Sequence, residues 1–165
     1  MHYSEIIDRK IIKDDQLDSF IFRNRFLGKK IVFTNGCFDL IHLGHVSYLA
    51  EAAALGDLLI LGVNGDESIK RLKGNSRPIQ DENSRVRILA SFAFVGAVCV
   101  FNEDTPYNLI SRILPDILVK GSDYEPKDIV GYDIVTKNNG KVITIDYLHG
   151  YSTSNIEEKI LSGKK

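Results

Sequence analysis

The sequence contains no tryptophan, a single methionine and only two cysteines. Cys37 and Cys99 lack CxxC spacing, so neither a disulfide scaffold nor a cysteine zinc site is expected. No apolar run approaches the roughly 18 residues of a membrane-spanning helix. The first residues also lack the basic and apolar blocks of a secretory signal. These absences predict a cytoplasmic protein without a membrane partner.

Charge of neither sign is in excess. The 21 Lys and Arg residues and the 22 Asp and Glu residues leave a formal net charge of -1 at pH 7. Such a balance argues against nucleic acid as a partner, so an anionic substrate must be held by a local site. The hydrophobic share of 44% and the charged share of 26% over 165 residues are typical of one globular domain.

Short apolar runs alternate with helix-length segments along most of the chain. The runs cover residues 31–34, 58–63, 97–101, 117–119 and 142–145. Helical spacing is found over about 43–54, 66–72, 82–92, 106–114 and 127–137, and again from about 154. Nearly continuous apolar runs suit strands that are covered on both faces. We therefore predict an α/β fold, a Rossmann-like, doubly wound, open parallel five-stranded sheet with helices on both faces.

Residues 1–28 precede this alternation and carry apolar residues at helical spacing. They predict an N-terminal helical lead segment of one or two helices that stops at Gly28, ahead of one domain over 29–165. The apolar residues of this segment are a candidate contact for a homodimer or higher homo-oligomer. In open parallel sheets ligands bind outside the carboxyl ends of the strands, so we expect functional residues directly after the strands.

The densest group of chemically active residues follows the first predicted strand, in the string Asn35-Gly36-Cys37-Phe38-Asp39-Leu40-Ile41-His42-Leu43-Gly44-His45. Gly36 lets the backbone turn tightly and approach a ligand. His42 and His45 stand three apart at a helix start, where free N–H groups and the helix dipole favour phosphate. Two imidazoles there can donate hydrogen bonds to phosphate oxygens as charge develops. A zinc site is disfavoured because the HExxH spacing and its glutamate are missing.

The string over 36–45 resembles the GxFDxxHxGH signature of the cytidylyltransferase-like nucleotidyltransferases. The wider sequence is similar to one branch, the bacterial D-glycero-β-D-manno-heptose 1-phosphate adenylyltransferases. The stretches that carry this resemblance are 33–39, 62–66, 71–74, 77–79, 104–106, 115–124 and 152–156. The resemblance runs from about residue 29 to the end and implies a nucleotidyltransferase domain over 29–165. It matches the adenylyltransferase half alone, without the kinase domain to which that half is often fused.

The resemblance also implies roles for individual residues. His42, His45 and Lys73 would be catalytic. The histidines would bind the triphosphate, and Lys73 would reach the phosphates as a mobile cation. The alternative for Lys73 is a charge on a solvated helix face. The implied nucleotide-binding residues are Asn35, Gly36, Cys37, Phe38, His42, His45, Gly121, Asp123, Ser152, Thr153 and Ser154. Asp123 would contact ribose hydroxyls or position a metal, with a turn and helix cap as its alternative. An ordinary N-cap is the alternative for the hydroxyl residues 152–154.

Three further charged residues are weaker candidates for binding the sugar phosphate. They are Asp39, Arg77, whose guanidinium suits phosphate geometry, and Arg85, for which an exposed surface charge is the favoured interpretation. No dedicated carboxylate cage for a metal is visible in the sequence. Mg²⁺ is therefore expected to bind through the triphosphate oxygens and water.

The implied function is transfer of an adenylyl group from ATP to D-glycero-β-D-manno-heptose 1-phosphate. The products would be ADP-heptose, for lipopolysaccharide or surface-glycan synthesis, and pyrophosphate. One alternative is a cytidylyltransferase acting on glycerol or another polyol phosphate, which the absence of an arginine just before Ser152 disfavours. Another is a non-catalytic nucleotide-binding protein. A dinucleotide oxidoreductase is disfavoured because no GxGxxG follows the first strand. The choice between ATP and CTP, and the sugar's anomeric form, stay open.

Overall fold

The computed structural model describes residues 2–163. Its helices are α1 (Tyr3–Lys10), α2 (Asp14–Phe26), α3 (Leu43–Ala53), α4 (Asp66–Lys73), α5 (Glu82–Ser91), α6 (Tyr107–Ile113), α7 (Tyr132–Lys137) and α8 (Thr153–Ser162). Its strands are β1 (Ile31–Gly36), β2 (Leu58–Asn64), β3 (Ala97–Phe101), β4 (Ile117–Gly121) and β5 (Lys141–Ile145). A short 3-10 turn covers Pro126–Asp128.

The five strands form one parallel sheet in the order β3-β2-β1-β4-β5. The chain winds outward from β1 to β3, then returns to the other side of β1 and winds outward again. The strand order therefore reverses between β1 and β4, and a crevice opens outside the carboxyl ends of these two strands. The predicted open, doubly wound, five-stranded sheet is confirmed.

Alternate residues of each strand pack into two separate cores, one on each face of the sheet. Val32 and Leu61 belong to one core, which α3 and α5 cover. Ile31 and Phe33 belong to the other, which includes residues of α2 and α6. This division follows from the two-residue repeat of a strand. All seven residues of β2 are buried, which explains its continuous apolar run.

The helical prediction over 127–137 was wrong in its first part. The chain forms the turn at Pro126–Asp128 and starts α7 after Gly131, whose φ of 90° lies in the left-handed region. A side chain on Gly131 would also meet Ile110 at 2.7 Å. Pattern alone does not reveal this break because the flanking residues keep helical spacing.

The lead segment forms two helices, and α2 is followed by Gly28 with a φ of 70°. Leu17 and Ile21 of α2 are buried in the core beside Ile31. The boundary at residue 28 and the homo-oligomer stay predictions.

Within residues 2–163, no helix is long and apolar enough to cross a membrane.

Candidate active site

The turn between β1 and α3 is held by the buried carboxylate of Asp39. This carboxylate accepts hydrogen bonds from the backbone N–H groups of Ile79 and Gln80 at 2.8 and 2.9 Å, and from Arg77 at 3.2 Å. Burial opposes ionisation of Asp39, but these bonds lower its pKa below the usual value. Phe38 is held at a φ of 50°, a region that non-glycine residues rarely adopt. The observed contacts of Asp39 thus stabilise the turn itself.

Arg85 lies beneath the same turn and is fully buried, so its interpretation as an exposed charge was wrong. Its guanidinium donates to the carboxylate of Asp66 at 2.8 Å, to the carbonyl of Gln80 at 3.0 Å and to the carbonyl of Cys37. These contacts join α4, α5 and the turn after β1. The complete burial of Arg85 weighs against direct contact with a substrate.

Helix α8 closes one side of the turn. Thr153 donates from its hydroxyl to the carbonyl of Asp39 at 2.9 Å, and Arg77 pairs with both Asp39 and Glu157. The guanidinium of Arg77 is therefore already engaged by two carboxylates. Its predicted role with the sugar phosphate stays a prediction.

His42 and His45 face each other at the start of α3, with ring centroids 4.0 Å apart. The backbone N–H of His42 donates to Nδ1 of His45 at 3.4 Å, which leaves Nε2 of His45 to carry its proton. A side chain at Gly44 would lie 3.0 Å from the His42 ring. A larger residue at position 44 would therefore crowd the ring of His42.

Both histidines are poised to gain a hydrogen-bonding partner. Burial lowers the pKa of His45 to about 4, with further lowering by His42 and Lys73, and burial also lowers the pKa of His42. The buried Nδ1 of His42 has no hydrogen-bond partner within residues 2–163. A bound phosphate would supply acceptor oxygens and negative charge at this position.

Two cavities meet at the carboxyl edge of the sheet. The larger, about 830 Å³ and here named the tyrosine cavity, is lined by His42, Gly44, His45, Tyr48, Ser122, Asp123, Asp146, Tyr147, Leu148, His149, Gly150, Tyr151, Ser152 and Thr153. The smaller, about 350 Å³ and here named the lysine cavity, is lined by Asn35, Gly36, Cys37, Phe38, Asp39, His45, Tyr48, Asn64, Lys73, Lys120, Asp123, Tyr124, Tyr147 and Thr153. Five residues border both: His45, Tyr48, Asp123, Tyr147 and Thr153.

Most of the residues singled out in the sequence line one of these cavities. The three expected catalytic residues do so, and so do all the expected nucleotide-binding residues except Gly121 and Ser154. Gly121 lies under the ring of Tyr147, where a side chain would collide with it. Ser154 is exposed on α8, and Ser152 caps that helix by accepting from the N–H of Asn155 at 3.1 Å. The roles of these residues with a ligand stay predictions.

Several cavity residues were missed by sequence reasoning, among them Lys120, Tyr48 and Tyr147. Lys120 lies near the end of β4, and its ammonium donates to the carbonyl of Asn35 at 3.2 Å. Tyr48 shares a buried 2.8 Å hydrogen bond with Thr34, and its ring stands 5.8 Å from that of Tyr147. The rule that functional residues gather at strand ends marks Lys120 and Tyr147. Tyr48 lies one helical turn after His45, so the two side chains share a helix face, and this spacing is a sequence signal for Tyr48.

Comparison with known proteins adds a family and relatives. Residues 33–159 match a family model described as cytidylyltransferase-like. The chain is 51% identical over 160 residues to the bifunctional protein HldE of Syntrophotalea carbinolica, covering 97% of this chain and 33% of that protein. It is 52% identical over 157 residues to HldE of Campylobacter jejuni, covering 95% and 32%. The chain thus spans about a third of the length of these curated relatives.

Solved structures show the same fold. A lipopolysaccharide core biosynthesis protein from Thermoplasma volcanium superposes with a TM-score of 0.57 at 28% identity, covering 73% of this chain and 98% of that one. A pantoate-beta-alanine ligase from Francisella tularensis, complexed with beta-gamma ATP and beta-alanine, superposes with a TM-score of 0.58. The match covers 89% of this chain and 76% of the ligase chain. At 18% identity, the likeness concerns the fold alone.

Proposed function

The chain belongs to the cytidylyltransferase-like family, and from that premise we propose that it is a nucleotidyltransferase that adenylylates a sugar 1-phosphate. ATP would be the nucleotide, and D-glycero-β-D-manno-heptose 1-phosphate the sugar phosphate. The products would be ADP-heptose, a precursor for lipopolysaccharide or surface glycan, and pyrophosphate. The observation that carries the proposal is the pair of neutral, closely apposed histidines where the two cavities meet.

The similarity to HldE supports the choice of substrate. The relatives are named bifunctional, and this chain covers about a third of them at about 50% identity. We infer that the chain carries one of their two activities, the transferase. A Thermoplasma structure named for lipopolysaccharide core biosynthesis points to the same area of metabolism.

The proposed step is a direct displacement at phosphorus. An oxygen of the sugar phosphate forms a bond to the α-phosphorus of ATP, the bond from that phosphorus to the bridging oxygen breaks, and pyrophosphate leaves with the electron pair. The attacking oxygen is already anionic, so no strong general base is needed. The protein must position two anions and stabilise the charge that moves between them.

The residues at the cavity junction suit this task. His42 and His45 would donate hydrogen bonds to the triphosphate from the N-terminal end of α3, where backbone N–H groups also favour phosphate. Lys73 ends α4 on an exposed turn before Gly74, so its ammonium can follow the phosphates. The larger tyrosine cavity has room for the nucleoside.

Mg²⁺ is the expected cofactor, held mainly by the triphosphate. Residues 2–163 contain no group of three or more His, Cys, Asp or Glu side chains that could hold a metal ion. Mg²⁺ commonly uses one or two carboxylates with substrate phosphates and water, so Asp123 at the cavity junction fits such an ion. The ribose hydroxyls are the alternative contact for Asp123. When bound, the ion would neutralise charge on the leaving pyrophosphate.

The deciding experiment measures pyrophosphate release with Mg²⁺, offering ATP or CTP against sugar 1-phosphates and glycerol 3-phosphate. We expect release with ATP and the heptose 1-phosphate. Release with CTP and a polyol phosphate alone would replace the substrates but keep the chemistry. Nucleotide binding without pyrophosphate release for any pair would contradict the enzyme proposal.

A cytoplasmic location stays a prediction.

A further inference from the structure

Lys120 is a partly buried cation with spare hydrogen-bond donors. Its ammonium carries three N–H donors, and the bond to the carbonyl of Asn35 is the one hydrogen bond it makes within residues 2–163. No carboxylate in that part of the chain forms an ion pair with it. Buried charges in proteins are normally paired. An anion from outside the chain would complete the surroundings of Lys120.

Two cationic side chains, those of Lys73 and Lys120, line the lysine cavity. Of its two acidic residues, Asp39 already accepts hydrogen bonds from Arg77 and from two backbone N–H groups, so its oxygens are engaged away from the lysines. Burial lowers the pKa of Lys120 to about 8, with Asp123 and Cys37 acting in the opposite direction. The ammonium groups of Lys73 and Lys120 can both donate hydrogen bonds to a phosphate group bound in this cavity.

Lys120 differs from Lys73, the other lysine of the cavity, in the element that carries it. Lys120 lies on β4 directly beside β1, so the sheet fixes its backbone. Lys73 by contrast ends an exposed helix. The lysine cavity, at about 350 Å³, is near the lower end of the range for small-molecule sites. It suits one sugar phosphate, which would then lie beside the residues 35–38 that the resemblance assigned to the nucleotide. The larger cavity across Tyr147 suits the nucleoside.

We propose that Lys120 binds the phosphate of the second substrate, the sugar phosphate, and positions it in the lysine cavity for attack on the nucleotide. The inference rests on the proposed function, since it assigns one of its two substrates to a cavity. Two phosphate groups repel each other as they approach. A fixed cation behind the attacking phosphate offsets that repulsion without holding the leaving pyrophosphate.

The test is steady-state kinetics of Lys120→Met, Lys120→Arg and the control Lys141→Met. Lys141 is an exposed lysine at the opposite edge of the sheet, at the start of β5. Lys120→Met should raise the KM for heptose 1-phosphate by about 10- to 100-fold, the loss expected for a hydrogen bond to a charged group. The KM for ATP should change by less than about threefold. Lys120→Arg should recover part of the affinity because it keeps the charge, and Lys141→Met should match the wild type.

A purely structural role for Lys120, holding the carbonyl of Asn35, predicts another result. It would raise both KM values together and lower the melting temperature of Lys120→Met, and that outcome would overturn the proposal. So would an unchanged KM for the sugar phosphate.

A second measurement separates this proposal from the proposed function. Calorimetry with inorganic phosphate, in the presence of saturating α,β-methylene ATP, needs no turnover. Weaker phosphate binding by Lys120→Met than by wild type would support the site even if no sugar phosphate is turned over. Equal affinity, or no phosphate binding by the wild type, would overturn it.

Discussion

The tyrosine cavity and the lysine cavity share a wall but are built differently. The outer side of the tyrosine cavity is the segment 146–152, where Leu148 and Tyr151 are 40% and 47% exposed. The lysine cavity is bordered by residues at the ends of β1, β2 and β4, including Asn35, Asn64 and Lys120. One cavity thus depends largely on a loop, and the other on the sheet.

This difference teaches how positioning is divided between the two sides of the site. Strand ends are fixed by neighbouring strands, and the turn after β1 is fixed further by Arg85 and Asp39. Under our proposal the attacking phosphate binds on this rigid side, and catalysis by positioning depends on such support. The loop side, with its aromatic lining, suits a larger and flatter ligand such as a nucleoside.

The largest expected effect lies at the histidine pair, of which His45 borders both cavities and His42 borders the tyrosine cavity. His42→Ala and His45→Ala should each lower kcat by about 10²–10³-fold, because each removes a hydrogen-bond donor to developing charge. Circular dichroism and melting curves should show that the fold is kept. Near-normal turnover in both variants would contradict the catalytic roles assigned to His42 and His45.

A smaller effect is expected on the lysine side from Lys73. Lys73→Met should lower kcat/KM by about 10- to 100-fold through loss of a charged contact with phosphate. The matched control is Lys70→Met on the same helix, since Lys70 pairs with Glu67 and lines neither cavity. Equal losses in the two variants would show that Lys73 acts only as part of a charged surface.

Tyr147 borders both cavities, and a substitution at Gly121 should displace its ring. A side chain there would collide with Tyr147, so Gly121→Ala should cost about 1–3 kcal/mol in the free energy of unfolding. Placed in a Tyr147→Ala background, the same substitution should cost much less. Denaturant titrations of the four proteins in this cycle measure the coupling. Additive effects would show that the ring of Tyr147 does not press on this glycine.

The last expected effect concerns pH and His45 on the shared wall. The folded protein holds the pKa of His45 at about 4, below its usual value of 6.5, because the residue is buried. The unfolded chain therefore binds more protons between these values, and the free energy of unfolding should rise with pH across that window. His45→Gln should flatten this rise in urea titrations at pH 4.5, 5.5 and 7. An unchanged slope would mean that His45 is not shielded from water.

The strand–helix alternation and the histidine turn were visible in the sequence because they depend on neighbouring residues. Apolar runs of three to six residues predicted the five strands, and all five are present. The rule for open parallel sheets then placed the string after β1 at the ligand-binding edge. His42, Gly44 and His45 lie within one helical turn, so local geometry accounts for their close approach.

Contacts between distant parts of the chain were decided only by the tertiary structure. The burial of Arg85 depends on Cys37, 48 residues away, and on Asp66, 19 residues away. Lys120 reaches Asn35 across 85 residues of chain because β4 pairs with β1. A single sequence carries no periodic signal for such contacts. The cost of burying a charge depends on which groups the folded chain brings within hydrogen-bonding distance.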